Sequence, residues 1–512
     1  MNLPRESGIL LHPTSLPGPY GMGEVGPEAF AFVDALKEMG QSLWQVLPIG
    51  PTSYGDSPYQ SLSTFAGNHL LISFEGLYQD GLLSKRQFED LPQFPAERIK
   101  YGEVIPARMK VLQAVCGSFA RLASREMNDE FETFCDANRD WLDDYALYVA
   151  IKESYDLRPF TDWDPELIHR EPDALKRVRR TRKTAIRNVK IMQFLFEHQW
   201  RRLVGYCHGN GIRLVGDIPI FVAHDSADVW AHPDLYFLEE NGQPTVIAGV
   251  PPDYFSASGQ RWGNPLYDWD VHARDGYSWW KRRLRRAFEW VDVVRIDHFR
   301  GFEAYWEIPA SEETAIHGRW VKGPGHPFFE ELTREFGDLP ILAEDLGIIT
   351  DEVEVLRDRF NLPGMRVLHF AFGNDPKADD YRPESFPTNC VCYTGTHDNN
   401  TSVGWFWGDG GEDSTRSPEE VEAERREILN YLHTDGSQIS WDLIGLGMRC
   451  NANMFIAPLQ DVLALGSEHR MNVPGVPSGN WQWRFSWDQL TPDIRQRLRD
   501  CVDATGRSRV HA

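Results

Sequence analysis

Residues 293–302 read VVRIDHFRGF, and residues 341–347 read ILAEDLG. In the first run Val293, Val294 and Ile296 are β-branched residues that favour a buried strand, and the run halts on an acid, Asp297. Arg295 lies two positions before Asp297, so period-two alternation points both side chains to one face. Working outward, the same grammar recurs. Short apolar runs at Ile9–His12, Leu43–Leu47, IRLVGDIPI (212–220), ILAED, MRVLHFAF (365–372), VCYTGTHD (391–398) and MFIAPLQDVL (454–463) alternate with amphipathic stretches. One such stretch is PEAFAFVDALKEMG (27–40), where Phe30, Val33 and Leu36 are expected on one face and Gly40 ends the helix. Thr350 is expected to open another, DEVEVLRDRF, acidic in its first turn as the helix dipole prefers.

Taking Ile9, Leu43, Ile212, Val293, Ile341, Val367, Val391 and Phe455 as markers predicts eight parallel strands with helices between them, a (β/α)8 barrel. A doubly wound open sheet would need a Gly-rich fingerprint after the first strand, and PTSLPGPYG (13–21) is not one. Two gaps exceed a simple crossover, roughly 50–210 and 221–290. They are expected to be insertions, largely helical, on one catalytic barrel spanning 1–512, with no carboxyl-terminal β domain. The segment GWFWGDGGEDSTRSPEE (404–420) reads as a surface loop, with Ser417 and Pro418 opening a helix.

The chain has 512 residues, with 53 basic and 76 acidic side chains, so 53 − 76 = −23. Such a charge disfavours nucleic acid and anionic membrane as partners, because both recruit clustered Lys and Arg. The basic run HREPDALKRVRRTRKTAIRNVK (169–190) lacks interleaved aromatics and reads as a solvated helix face. Eighteen Trp exceed ordinary core needs; they are divided between core filling and stacking on sugar rings. Seven cysteines include no C-x-x-C, and Cys390 and Cys392 read as buried strand thiols. With no signal-peptide core and no apolar stretch of membrane-spanning length, a soluble cytoplasmic protein is expected.

Three acids end strand-like runs: Asp297, Glu344 and Asp398 of YTGTHDNNT (393–401). Packing explains such positions poorly, whereas barrels place their chemistry at the carboxyl ends of strands. Arg295 would keep Asp297 ionised as a nucleophile. Retaining glycoside cleavage needs one carboxylate to attack the anomeric carbon and a second, protonated one for the leaving oxygen; a third can stabilise the oxocarbenium-like transition state. A metal-dependent barrel hydrolase is the competing class, but the sequence has neither H-x-H nor H-E-x-x-H, and no metal or cofactor is expected.

The runs GILLHPTSLPGPYGMGEVG (8–26), YGDSPYQSLSTFAGN (54–68), GVPPDYFSASGQRWGNPLYDW (249–269), VVRIDHFRGF, ILAEDLG, YTGTHDNNT and MNVPGVPSGNWQWR (471–484) closely resemble bacterial amylomaltase, the 4-α-glucanotransferase family related to the α-amylase clan. The resemblance implies a barrel with inserted subdomains, Asp297 as nucleophile, Glu344 as acid/base and Asp398 as transition-state stabiliser. It further implies that Arg295, His298, His397 and Asp217 line the donor site, and that Tyr59, Trp262, Tyr254, Phe255 and Asn472 contact the glucan. Expected substrates are maltooligosaccharides, amylose or glycogen-derived glucans, with glucose as an acceptor. Longer relatives carry an amino-terminal extension, and this chain is expected to lack its role. An amylase-type hydrolase with water as acceptor, and a non-catalytic glucan-binding barrel, are the rival readings.

Overall fold

A computed structural model describes residues 3–252, 258–373, 378–408 and 417–508. Eight strands form one parallel sheet: β1 (Glu6–Leu10), β2 (Leu43–Gln45), β3 (Arg213–Pro219), β4 (Val293–Asp297), β5 (Ile341–Ala343), β6 (Gly364–Val367), β7 (Cys390–Tyr393) and β8 (Met454–Pro458). Seven of the predicted markers fall inside strands, and Ile212 precedes β3 by one residue.

The sheet runs β6-β7-β8-β1-β2-β3-β4-β5, which is the cyclic order of a barrel opened between β5 and β6. The seam is nearly closed. The Ala343 amide donates to the Pro363 carbonyl at 2.8 Å. One step on, the buried carboxylate of Asp345 replaces a carbonyl: the Met365 amide donates to its Oδ1 at 2.7 Å, while the Arg357 guanidinium pairs with Oδ2. Gly364 makes this approach possible, since a Cβ there would stand 2.5 Å from Asp345 Oδ2.

Helices follow most barrel strands. Pro27–Glu38 begins with Pro at its first position and buries Ala29, Phe32, Val33 and Leu36, the i, i+3, i+4, i+7 pattern of a packed stripe. Phe30 sits off that stripe and meets Tyr206 edge-on at 5.0 Å. Thr350 occupies the N-cap position of Asp351–Arg359. The stretch between β2 and β3 is helical, ending in the 27-residue helix Lys183–Gly209 that leads into β3. The basic run lies on Pro172–Thr181 and the start of that helix, where most of its Lys and Arg side chains are exposed.

Between β3 and β4 the architecture has an element that the sequence pattern did not signal. Strands Val246–Val250 and Gln260–Pro265 join Ala304–Pro309 and Arg319–Lys322 in a four-stranded antiparallel sheet beside the barrel mouth. The stretch from Gly404 also departs from a plain loop: Ser402–Trp407 is helical, with Trp405 and Phe406 buried, whereas Ser417 does cap Pro418–Leu432 through a capping box. Residues 409–416 of the expected loop are outside the described residues. The last described element is the helix Pro492–Ala504.

Tryptophan mostly fills the core: Trp44, Trp200, Trp230, Trp279 and Trp280 are among the largest fully buried side chains. Cys390 and Cys392 are buried free thiols on β7. Among the described residues, no helix is long and apolar enough to cross a membrane.

Candidate active site

Strand alternation on β4 sends Arg295 and Asp297 to one side, as their shared bonding shows. Arg295 Nη2 donates to Asp297 Oδ1 at 2.8 Å, and Nη1 donates to Asp217 Oδ2 at 2.6 Å, so one buried guanidinium joins the acids of β3 and β4. Its Nε contacts Met365 Sδ of β6 at 3.4 Å, spanning the barrel. Tyr59 donates its hydroxyl to Asp217 Oδ2 at 2.9 Å and stacks on the His397 ring at 5.1 Å. His397 Nε2 lies 3.3 Å from Asp398 Oδ2, and Asn472 Nδ2 donates to Asp398 Oδ1 at 2.6 Å. Asp297, Arg295, Asp217, Tyr59, His397, Asp398 and Asn472 are therefore one continuous chain of contacts.

Glu344 enters from β5. His298, directly after Asp297, has a left-handed backbone (φ 58°), a conformation that non-glycine residues adopt mainly where surroundings impose it. In that conformation its amide donates to Glu344 Oε2 at 2.6 Å, while the Leu346 amide donates to Oε1 at 2.8 Å. Trp262 meets the His298 ring edge-on at 4.8 Å, placing an indole from the antiparallel sheet beside the two acids.

The three acids sit in different electrostatic surroundings. Burial, reinforced by the negative charge of Asp297, pushes the Glu344 carboxyl up to about 7 against the opposing pull of Arg295. Deep enclosure also disfavours the Asp398 anion, yet the charge and hydrogen bond of His397, with the amide of Asn472, hold it down at about 2. Its side chain nevertheless keeps 46% of its surface open, and that of Asp297 keeps 32%. Burial raises Asp217 to about 6 despite Arg295, and burial depresses His298 to about 3, leaving that imidazole neutral near pH 7. Asp217 Oδ1 and His298 Nε2 are buried without a hydrogen-bond partner among the described residues, which suits a site meant to meet a hydroxyl-rich ligand.

Of the residues singled out from sequence, Asp297, Glu344, Asp398, Asp217, Arg295, His298, His397, Tyr59, Trp262 and Asn472 lie in this cluster; Tyr254 and Phe255 are outside the described residues. Sequence reading missed Trp481, which packs against Tyr59 and His397 at 6.0 and 5.9 Å from a left-handed backbone (φ 64°). It also missed Arg470, whose Nη2 donates to the Asp398 carbonyl at 2.5 Å. Trp481 lies within the quoted run 471–484 and Arg470 directly before it, but neither type nor spacing there singles out either residue. Among the described residues no group of three or more His, Cys, Asp and Glu side chains is gathered to hold a metal ion.

Fold and site together define a barrel enzyme with a buried, proton-retaining carboxyl beside an arginine-paired carboxylate. The family model of the glycoside hydrolase family 77 4-α-glucanotransferases matches residues 11–491, and the chain belongs to that family of glycosyl-transferring enzymes. It is 49% identical to the 4-α-glucanotransferase of Thermus thermophilus over 511 residues, 99% of this chain and 100% of that one. With the chloroplastic/amyloplastic 4-α-glucanotransferase of Solanum tuberosum it shares 42% identity, covering 98% of this chain and 86% of the relative. The structure of the amylomaltase of Streptococcus agalactiae in complex with acarbose superposes with a TM-score of 0.92 at 36% identity, covering 98% of this chain and all of that one.

Proposed function

We propose that this enzyme transfers α-1,4-glucan segments between maltooligosaccharides, amylose or glycogen-derived glucans, with glucose as an acceptor, by double displacement through a glycosyl ester of Asp297. The observation that carries the reading is the contrast between Asp297, ion-paired to Arg295 at 2.8 Å, and Glu344, whose carboxyl burial and the Asp297 charge push up to about 7. A carboxyl that burial keeps protonated serves as the acid, and the carboxylate ion-paired beside it serves as the nucleophile.

In the first half-reaction Asp297 attacks the anomeric carbon as Glu344 gives its proton to the departing glycosidic oxygen. Asp398 stays ionised and faces the positive charge that develops on the sugar ring. In the second half-reaction Glu344 takes the proton of an incoming 4-hydroxyl, which attacks the glycosyl ester and restores the α-linkage. Asp217 Oδ1 and His298 Nε2, which have no hydrogen-bond partner among the described residues, bind sugar hydroxyls, and Trp262 stacks against the chain. A relative sharing 36% of its sequence was captured with acarbose, which supports a glucan-type ligand here. By the family resemblance, Tyr254, Phe255 and Tyr59 raise acceptor occupancy so that transfer outcompetes water.

Incubation with maltotriose tests it: glucose together with oligomers longer than the substrate is the expected product ladder. Products exclusively shorter than maltotriose would make the enzyme a hydrolase, and no turnover at all would leave a binding barrel.

A further inference from the structure

The loop from Thr394 to Ser402 carries His397 and Asp398, and its two ends converge on a single carboxylate that the reaction itself does not use. Thr394 Oγ1 donates to Asp461 Oδ2 at 2.5 Å. Ser402 donates its amide to Asp461 Oδ1 at 2.7 Å and its hydroxyl to Oδ2 at 2.8 Å. Because that hydroxyl proton is spent on Asp461, the 3.0 Å contact between Ser402 Oγ and His369 Nε2 is donated by the imidazole. His369 follows β6 and lies flat on Trp405 at 4.6 Å with an interplanar angle of 10°; its own amide donates to the Thr394 carbonyl at 3.3 Å. Asp461 follows β8, where Ser440 Oγ donates to its backbone carbonyl at 2.5 Å. Four buried side chains thus join the carboxyl ends of β6, β7 and β8 beneath the Asp398 loop.

Three features set this cluster apart from ordinary core filling. Asp461, Thr394, Ser402 and His369 are 1%, 0%, 0% and 3% exposed, so the cluster is sealed from solvent. The hydrogen bonds that the Asp461 carboxylate accepts among the described residues come from neutral donors, Thr394 and Ser402. An apolar group of similar shape would fill the space at lower cost, whereas hydrogen bonds fix direction as well as distance. The packing is also shape-specific: a Cβ at Gly395 would stand 2.8 Å from His369 Cε1.

We propose that Asp461 is a positioning residue for transfer, setting the height and tilt of the Asp398 carboxylate by gripping both ends of its loop. The proposal rests on the reading of Asp398 as the group that stabilises the transition state. Asn472 and Arg470 hold the tip of the loop from the cleft side, at 2.6 and 2.5 Å; Asp461 holds its base. Loss of the base lets the carboxylate drift relative to the sugar ring, and a displacement of about 1 Å costs roughly a hundredfold in rate.

The test compares Asp461→Ala, Asp461→Asn, Ser402→Ala and Asp398→Asn in maltotriose disproportionation, with thermal unfolding run alongside. Asp461→Ala is expected to lower kcat about a hundredfold with KM within about threefold of wild type. Asp461→Asn keeps an acceptor for the Ser402 amide and should recover most of that loss; Ser402→Ala should lie between. Should Asp461→Ala fail to fold, Ser402→Ala and Asp461→Asn carry the comparison, with a kcat loss of at least fivefold expected in Ser402→Ala. Variants that melt earlier yet keep wild-type kcat per folded molecule would overturn the proposal, as would a rise in KM with kcat intact. If Asp398→Asn itself remained active, the catalytic reading would fail instead, and the two failures are separable on one plate.

Discussion

The protonated state of Glu344 is the most exposed point of the mechanism, and its consequences can be worked out from the site. Burial and the Asp297 charge move this carboxyl from 4.5 to about 7, a preference for the neutral form of roughly 3 kcal/mol. At pH 6 about 90% of the molecules then hold the proton needed by the leaving oxygen, against about 3% for an unperturbed glutamate, a ~30-fold advantage in competent enzyme. Because the raised group is the acid, activity is present below pH 7 and is lost above it. The expected profile of kcat/KM on maltotriose falls with unit slope on its basic limb, bending near pH 7. The perturbation is Glu344→Gln, which removes the proton donor and keeps an oxygen acceptor for one of the two amides, His298 or Leu346, that bond the carboxylate. Turnover of maltotriose should fall by 10²- to 10⁴-fold and the basic limb should vanish. An α-maltosyl fluoride donor, whose leaving group needs no proton, should still glycosylate the variant within about tenfold of wild type. A wild-type profile flat to pH 9, or equal losses on both donors, would refute the assignment.

Other expectations follow from neighbouring geometry. Asp297→Asn should lose several orders of magnitude in turnover while unfolding at nearly the wild-type temperature, because covalent catalysis loses its nucleophile; substantial transfer by this variant would remove the mechanism. Gly364→Ala drives a Cβ to 2.5 Å from Asp345 Oδ2 at the barrel seam and should cost about 1–3 kcal/mol by urea unfolding, and an unchanged midpoint would mean that the seam yields freely. Asp228, buried and accepting from the Thr64 amide, is raised by burial from 3.8 to about 6, so its contribution favours folding at low pH and is lost as pH rises through 6. Asp228→Asn should therefore gain stability relative to wild type as pH rises from about 3.8 to about 6, by about 3 kcal/mol in all and about half of that above pH 5; a pH-independent difference would sink that account.

What the sequence by itself determined is what short-range periodicity encodes. Eight apolar runs separated by amphipathic stretches allow few arrangements besides a parallel barrel, because parallel strands need helical crossovers. Acids terminating those runs fall at the carboxyl rim whichever residues surround them, so Asp297, Glu344 and Asp398 were legible one at a time, and Arg295 followed from alternation on the same strand. Phe30 lies only partly buried beside the stripe that holds Val33 and Leu36, because the apolar pattern of this twelve-residue helix supports two adjacent faces and only the neighbouring helix decides which is sealed.

The tertiary structure decided everything that depends on residues distant along the chain meeting at hydrogen-bond range. Asp345 directly follows Glu344 in sequence, yet it completes the seam through the amide of Met365 and the guanidinium of Arg357. Trp481 and Arg470 carry no local signature and reach the site only because their segment folds over the barrel mouth. The antiparallel sheet was hidden since its strands come from both sides of β4 and pair across it. Asp461 followed an unremarkable strand; its significance lies in three donors from another loop. A side-chain pattern specifies which face is apolar, but the direction of a buried hydrogen bond is settled only when both partners are in place.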